Sequence, residues 1–246
     1  TTTHTTMRTP HALLAVSLFS FALAAHADCV KGIGEVVKKS LTVDAFHGIR
    51  VEGSMDVVLT QGATQAVEVE AQENLIALVE TKVVNGVWEI TTNDGYTTNK
   101  NFIVHITVPV IDEVKVDGSG DVTSHGTFSA DEMDLAVAGS GNITLAFDSK
   151  NVDVDIAGSG DMILSGTCER LKVGIAGSGD VDARKLKSAD AVVDIAGSGD
   201  VVLEASQSLE ASIAGSGDVS YRGTPARISR NVMGSGEVRS LEHGPR

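Results

Sequence analysis

The sequence predicts an all-β chain wound as a right-handed parallel β-helix, a solenoid of two main sheets with about 19 residues per coil. Three observations carry that expectation. The triplet Gly-Ser-Gly begins at Gly118, Gly139, Gly158, Gly177, Gly197, Gly215 and Gly234, with spacings of 21, 19, 19, 20, 18 and 19 residues. Hydrophobic residues alternate on both sides of each triplet, as Val152, Val154 and Ile156 before Gly158 and Met162 and Leu164 after Gly160. Period two marks strands with one buried face, and stacked coils hide that face. Aromatics make up only 4% of the chain against 42% hydrophobic content, which suits a narrow lumen of Val, Ile and Leu.

Residues 1–27 read as an export signal. Arg8 supplies an early charge, Ala12 to Ala24 an apolar run too short to cross a bilayer, and Ala25-His26-Ala27 an A-x-A cleavage site. Residues 1–6 precede Met7 without any pattern and read as extraneous. Removing 1–27 leaves 18 basic and 33 acidic residues, a net charge of −15, and no segment long and apolar enough to cross a membrane. Residues 28–40 form a lead segment, and 41–246 a single β-helix domain with an irregular first part over 41–113 and regular repeats over 114–246.

In the irregular part, Gly53-Ser54-Met55 is the same unit with Met55 in place of the second glycine. Val67–Glu70, Lys82–Ile90 around an Asn85-Gly86 turn, and Phe102–Val108 read as strands, and Glu73–Glu80 as one helical turn. This part is expected to start the solenoid with wider loops and to cap one end. In the regular part, two short strands meet at each triplet, with a looser return such as Ser165–Arg170. Parity through Ile156-Ala157-Gly158-Ser159-Gly160-Asp161-Met162 turns both glycines inward, where two sheets converge and no side chain fits. The structural turns are therefore Gly118 and Gly120, Gly139 and Gly141, Gly158 and Gly160, Gly177 and Gly179, Gly197 and Gly199, Gly215 and Gly217, and Gly234 and Gly236. The L-x-x-L-x-L line of leucine-rich repeats is missing, and coils of 18 to 21 residues do not keep the sixfold spacing of a left-handed hexapeptide helix.

A pI near 4.8 argues against a nucleic-acid partner. Cys29 and Cys168 are too few for a disulfide framework, and Asp28 stands where a lipobox before Cys29 would carry a small residue. His47, His105, His125 and His243 lack ligand spacing, and H-E-x-x-H, G-x-S-x-G, P-loop and complete G-x-G-x-x-G motifs are absent. No catalytic or cofactor-binding residue follows. The suggestive row is Asp121, Asn142, Asp161, Asp180, Asp200, Asp218 and Glu237, each after the second glycine of a triplet. Stacked carboxylates about 4.8 Å apart repel by roughly 1 kcal/mol in water. Calcium shared between coils would offset this, with Asp161, Asp180, Asp200 and Asp218 as ligands; so would turn amides, each Asp forming an Asx-turn. The nine-residue G-G-x-G-x-D frame of calcium solenoids is absent, which favours the turn. A row of serines from Ser119 to Ser235, flanked by Ala157 and its equivalents, would make a flat outer strip.

The chain resembles the auto-transporter adhesin head GIN domain family of secreted bacterial proteins. The resemblance rests on Lys31-Gly32-Ile33-Gly34, Phe46-His47-Gly48-Ile49, Gly53-Ser54-Met55-Asp56-Val57, Glu73-Asn74-Leu75, Asn85-Gly86 and the GSGDV series. It implies a right-handed β-helix with Gly-Ser-Gly as the tight turn, no established catalytic residues, and adhesion as the proposed role. The expected function is a non-enzymatic, exported adhesion or binding module in the periplasm or at the cell surface, with a glycan or a cell-surface protein as partner. A polysaccharide lyase or hydrolase is the alternative, with Lys172, Arg184 and Lys185 as its basic residues. A third is an envelope scaffold that self-associates into a homo-oligomer through the Ser strip or an open end; Arg222, Arg227, Arg230 and Arg239 make the last coils basic.

Overall fold

The alternating segments form strands, and the strands stack coil upon coil. The computed structural model describes residues 29–241, so the export signal expected over 1–27 and His243 lie outside the described residues. The first part contains β1 (Val30–Lys31), β2 (Val36–Ser40), β3 (Gly48–Gly53), β4 (Asp56–Gln61), β5 (Ala66–Gln72), α1 (Glu73–Ile76), β6 (Val83–Val84), β7 (Val87–Ile90), β8 (Tyr96–Thr97) and β9 (Ile103–Val108). The repeats follow as β10 (Glu113–Gly118), β11 (Val122–His125), β12 (Phe128–Gly139), β13 (Ile143–Gly158), β14 (Met162–Gly177), β15 (Val181–Gly197), β16 (Val201–Gly215), β17 (Val219–Arg222), β18 (Arg227–Gly234) and β19 (Val238–Ser240).

Parallel pairing keeps equivalent residues in columns. Val116, Val137, Ile156, Ile175, Ile195 and Ile213 form one buried column before the corner. Val57, Val122, Ile143, Met162, Val181, Val201, Val219 and Val238 form another after it. At about 1.5–3 kcal/mol for each fully buried aliphatic side chain, these columns supply the main driving force for stacking.

Between them the corner accounts for its main-chain groups. Each Ser N–H donates to the carbonyl of the first glycine one coil earlier, as from Ser178 to Gly158 at 2.8 Å. The residue after each Asp donates to the Asp carbonyl one coil later, as from Val181 to Asp200 at 2.9 Å. Gly177 lies at φ +141°, and a Cβ there would overlap the Gly158 carbonyl. The same overlap, backbone upon backbone, recurs at the first glycine of every triplet from Gly139 onward.

The acidic row completes the pattern, though not as an Asx-turn. Asp161 Oδ1 accepts the N–H of Asp180 at 2.9 Å, Asp180 Oδ1 that of Asp200 at 2.7 Å, and Asp200 Oδ1 that of Asp218 at 2.7 Å. The ladder begins with Asp56 accepting from Asp121 and ends with Asp218 accepting from Glu237. Each carboxylate thus satisfies an N–H of the next coil rather than of its own turn. A charge-assisted bond of this kind is stronger than a neutral one and offsets the repulsion between stacked acids.

The return differs from the loose connection expected at Ser165–Arg170. It lies inside the unbroken strand β14, with Thr167 paired to Asp148 and Lys187 and Cys168 to Ser149 and Ser188. Gly166, at φ +120°, lets the strand bend here, because a Cβ would overlap the Phe147 carbonyl. Phe128 and Phe147 pair in register and are fully buried, so the lumen at this end is wide enough for aromatic rings. Differences in coil length are absorbed as register shifts between Ile163 and Ser165 and between Ala183 and Lys187, while glycine stays opposite glycine.

The first part also departs from the simple order expected. β3 pairs with β10 on one edge and β7 on the other, and β4 with β11 and β9. The coil of β7 and β9 therefore lies outside that of β3 and β4, although it comes later in the chain. Antiparallel β5 joins β9 to β2, and Asn85-Gly86, both at positive φ, turn β6 into β7. The helical turn ends at Ile76 rather than Glu80, whose carbonyl accepts from Trp88 Nε1 at 2.9 Å. Trp88 packs against Phe46 with tilted rings 5.5 Å apart, and Met55 is buried beneath the first corner.

Three outcomes are expected. Gly177→Ala should lower unfolding free energy in urea by at least about 3 kcal/mol, whereas Ser178→Ala should stay within about 0.5 kcal/mol of wild type. Asp180→Ala, which strands the Asp200 N–H, should cost about 1 kcal/mol, and Asp180→Asn should cost less, because Asn142 already accepts from Asp161 in the native ladder. Both cysteines are free, and burial pushes the Cys168 thiol up to about 12. A thiol reagent at pH 8 should therefore label exposed Cys29 alone, with Cys168 reacting only in denaturant.

Candidate functional site

The strand leg that leads into each corner turns alternate residues outward, and stacking lines them up. The fifth residue before each triplet gives the column Glu113, Asp134, Asp153, Lys172, Val192 and Glu210. The third gives Lys115, Ala136, Asp155, Gly174, Asp194 and Ser212. Beside them stand Glu132, Asn151, Arg170 and Asp190.

These columns wall a surface groove of about 720 Å³. Its charged lining comprises Glu132, Asp134, Asp153, Asp155 and Asp190 against Arg170 and Lys172. It continues, through the shared Asp155, into a shallower hollow of about 380 Å³ floored by Ala157, Gly174, Ala176 and Ala196. The bare Cα of Gly174 matters locally: a Cβ there would meet Asp155 Oδ1 at 2.6 Å. The carboxylate can lie across the floor only because Gly174 has no side chain. Lys172 Nζ donates to Asp153 Oδ1 at 3.1 Å, and this bond, with the charges of Asp153, Asp155 and Asp194, raises its pKa above the ordinary lysine value. Both partners are exposed, so the pair orients side chains more than it stabilises the fold.

The lining is rich in acceptors, offers donors at Lys172, Arg170 and Asn151, and contains no aromatic face. Such a surface can hydrogen-bond hydroxyl or ammonium donors along several coils at once. No sequence motif marks it, because its outward residues differ from coil to coil. Columns read at fixed offsets before each triplet would have exposed it.

Of the basic residues weighed from sequence, only Lys172 enters this groove. Arg184 pairs with Asp182 at 2.8 Å on the leg after the corner, and Lys185 lies opposite Ser165 on that same leg. Asp161, Asp180, Asp200 and Asp218 stand on the corner ladder, each with one oxygen engaged by a backbone N–H. Among the described residues no group of three or more His, Cys, Asp or Glu side chains could hold a metal ion. His47 pairs with Asp112 at 2.7 Å and His105 with Glu70 at 2.9 Å, on separate elements. The His105 bond holds the Glu70 carboxyl below its usual range. No described helix is long and apolar enough to cross a membrane.

Known structures share this architecture. A putative adhesin from Bacteroides fragilis superposes with a TM-score of 0.79 at 20% identity, covering 86% of this chain and all of that one. A putative lipid binding protein from Parabacteroides distasonis gives 0.71 at 25% identity over 87% of this chain and 99% of its own. A putative adhesin from Parabacteroides merdae gives 0.70 at 24% identity over 88% of this chain and all of its own. No functionally curated protein matches the chain. The sequence profile of one family matches residues 45–225, from just before β3 to just past β17. By that match the chain belongs to the family described as putative auto-transporter adhesin, head GIN domain.

Proposed function

We propose that the chain is a non-enzymatic adhesion or binding module, exported to the periplasm or cell surface, and that the acidic groove is its binding face. One observation carries this reading: an open row of exposed and half-buried carboxylates with two cations is held on a stack whose backbone is bonded coil to coil. A rigid row of acceptors favours repeated hydroxyl donors, as in a neutral or amino-sugar glycan, and little entropy is lost in ordering it. Adhesin-named relatives of the same fold support a surface role. The lipid binding named for the Parabacteroides distasonis protein has less support here, because the lumen columns are filled by side chains at most a few per cent exposed.

The enzymatic reading draws on Lys172 among its acids. A lyase acting on uronic polymers must attract a polyanion, and the groove, with five acids to two bases, repels one. No nucleic-acid partner is compatible with that field.

Glycan-array binding of the full chain should find neutral or amino-sugar oligosaccharides. The double variant Asp153→Ala/Asp155→Ala should lose at least about tenfold in affinity, as expected when charge-assisted hydrogen bonds are removed. Asp161→Asn, on the corner ladder, should bind like wild type. Turnover of any polysaccharide in a depolymerisation assay, or an unchanged double variant, would sink the proposal.

A further inference from the structure

The two ends of the coil stack are finished differently. At the end built by the first part, the outer strands are short: β6 has two residues, and β2 has five. β2 also carries Lys38 and Lys39, which pair with Glu70 and Glu73. Charged, short edges of this kind discourage further pairing. At the opposite end, among the described residues, β18 pairs with β16 alone, and β19 pairs with β17. β18 is eight residues long, and every one of them is exposed. Its inward positions, Ile228 at 40% and Val232 at 39% exposure, stand at the mouth of the lumen.

This open edge is basic in an acidic protein. From β17 to β19 there are four arginines and one acid, Glu237, while the whole chain carries a net charge of −14. Arg230 takes the inward position that Ala211 holds one coil earlier, and its guanidinium donates to Tyr221 Oη at 3.0 Å. It lies 5.9 Å over the Tyr221 ring. That contact closes the lumen and leaves positive charge where another coil would stack. Arg222 and Arg227 make no ion pair among the described residues.

We propose that β18 is a strand-addition site for an extended acidic segment of another polypeptide, in which acids alternate with β-branched residues. The unpaired main chain of β18 would supply the hydrogen bonds, Ile228 and Val232 would take the apolar side chains, and Arg222 and Arg227 would select for acids. A second copy of this chain fits worse, since end-to-end pairing brings the same arginines together and the other end offers lysines on short edges. A polyanionic sugar would use the arginines but not the strand edge. Arg227 continues the column of Asp190 through Ser208, so this edge adjoins the end of the acidic groove, but strand addition uses the main chain of β18 and does not depend on the groove's role.

The probe is an eight-residue synthetic peptide of alternating valine and glutamate, titrated against the full chain by calorimetry, with amide hydrogen exchange as the positional readout. Binding that weakens with salt, with protection confined to β18 and β19, is expected. The exposed pair Arg222→Glu/Arg227→Glu should weaken it at least about tenfold without lowering the melting temperature. A peptide with lysine for glutamate, or one N-methylated at alternate residues, should not bind. Equal binding of the N-methylated peptide would reduce the site to ionic attraction and overturn the proposal. So would protection elsewhere, no binding at millimolar peptide, or concentration-dependent dimerisation of the chain through this end.

Discussion

Everything in this stack depends on how closely the backbones of successive coils approach at the corner. A Cβ at the second glycine of a triplet, as at Gly160, would overlap the Gly141 carbonyl, just as one at Gly158 would overlap that of Gly139. Only glycine permits that approach, and only that approach lets two sheets converge into one lumen edge. The columns follow from it, because register is pinned at glycine in every coil. Side chains elsewhere have freedom that the corner lacks. Ile175, Ile195 and Ile213 can fill one column, while the column behind it runs Leu171, Ala191 and Leu209.

The same constraint explains which features were legible in sequence. Triplet spacing and alternating parity depend on the corner, so the solenoid and its coil length could be read directly. The return could not. Ser165-Gly166-Thr167 looks like a turn by composition, yet each residue has a paired neighbour above and below, and the strand bends without breaking. Nor could the swapped order of the first coils, because β3 reads as an opening strand and nothing local in it reveals that β7 will lie outside. Low aromatic content was a fair sign of a narrow corner, but the opposite edge of the lumen admits Phe128 and Phe147. The groove was missed for a related reason: outward residues are free to vary, so Lys172 and Val192 interrupt an acidic column and blur its pattern.

Family membership and fold agree here, but they locate function differently. A β-solenoid is a scaffold that turns a sequence repeat into parallel rows, and any outward offset in the repeat becomes a stripe on the surface. Four such stripes are visible: small residues at Ala157 and its equivalents, serines at the corner, acids on the ladder, and the mixed acids of the groove. The ladder acids each spend an oxygen on the next coil, and the small residues offer little to bind with. The groove acids engage side chains instead of the next coil's backbone, Asp134 with Lys115, Asp153 with Lys172 and Asp190 with Ser208, so a ligand can displace these partners without opening the stack.

The ladder also has a direction, and direction has consequences at the ends. Each acid accepts from the coil that follows, so the first member, Asp56, is satisfied as soon as Asp121 is laid down. The last member, Glu237, has no following coil among the described residues. Its charge is met instead by Arg239, 3.9 Å away, which also reaches Asp218 at 3.7 Å. Beneath the same coil, Arg230 replaces a small inward residue and turns to Tyr221. Two arginines thus finish this coil, one as a counter-charge to the last acid and one across the mouth of the lumen. Among the described residues the last coil is therefore finished by charge, and its β18 edge suits a partner whose charge is opposite.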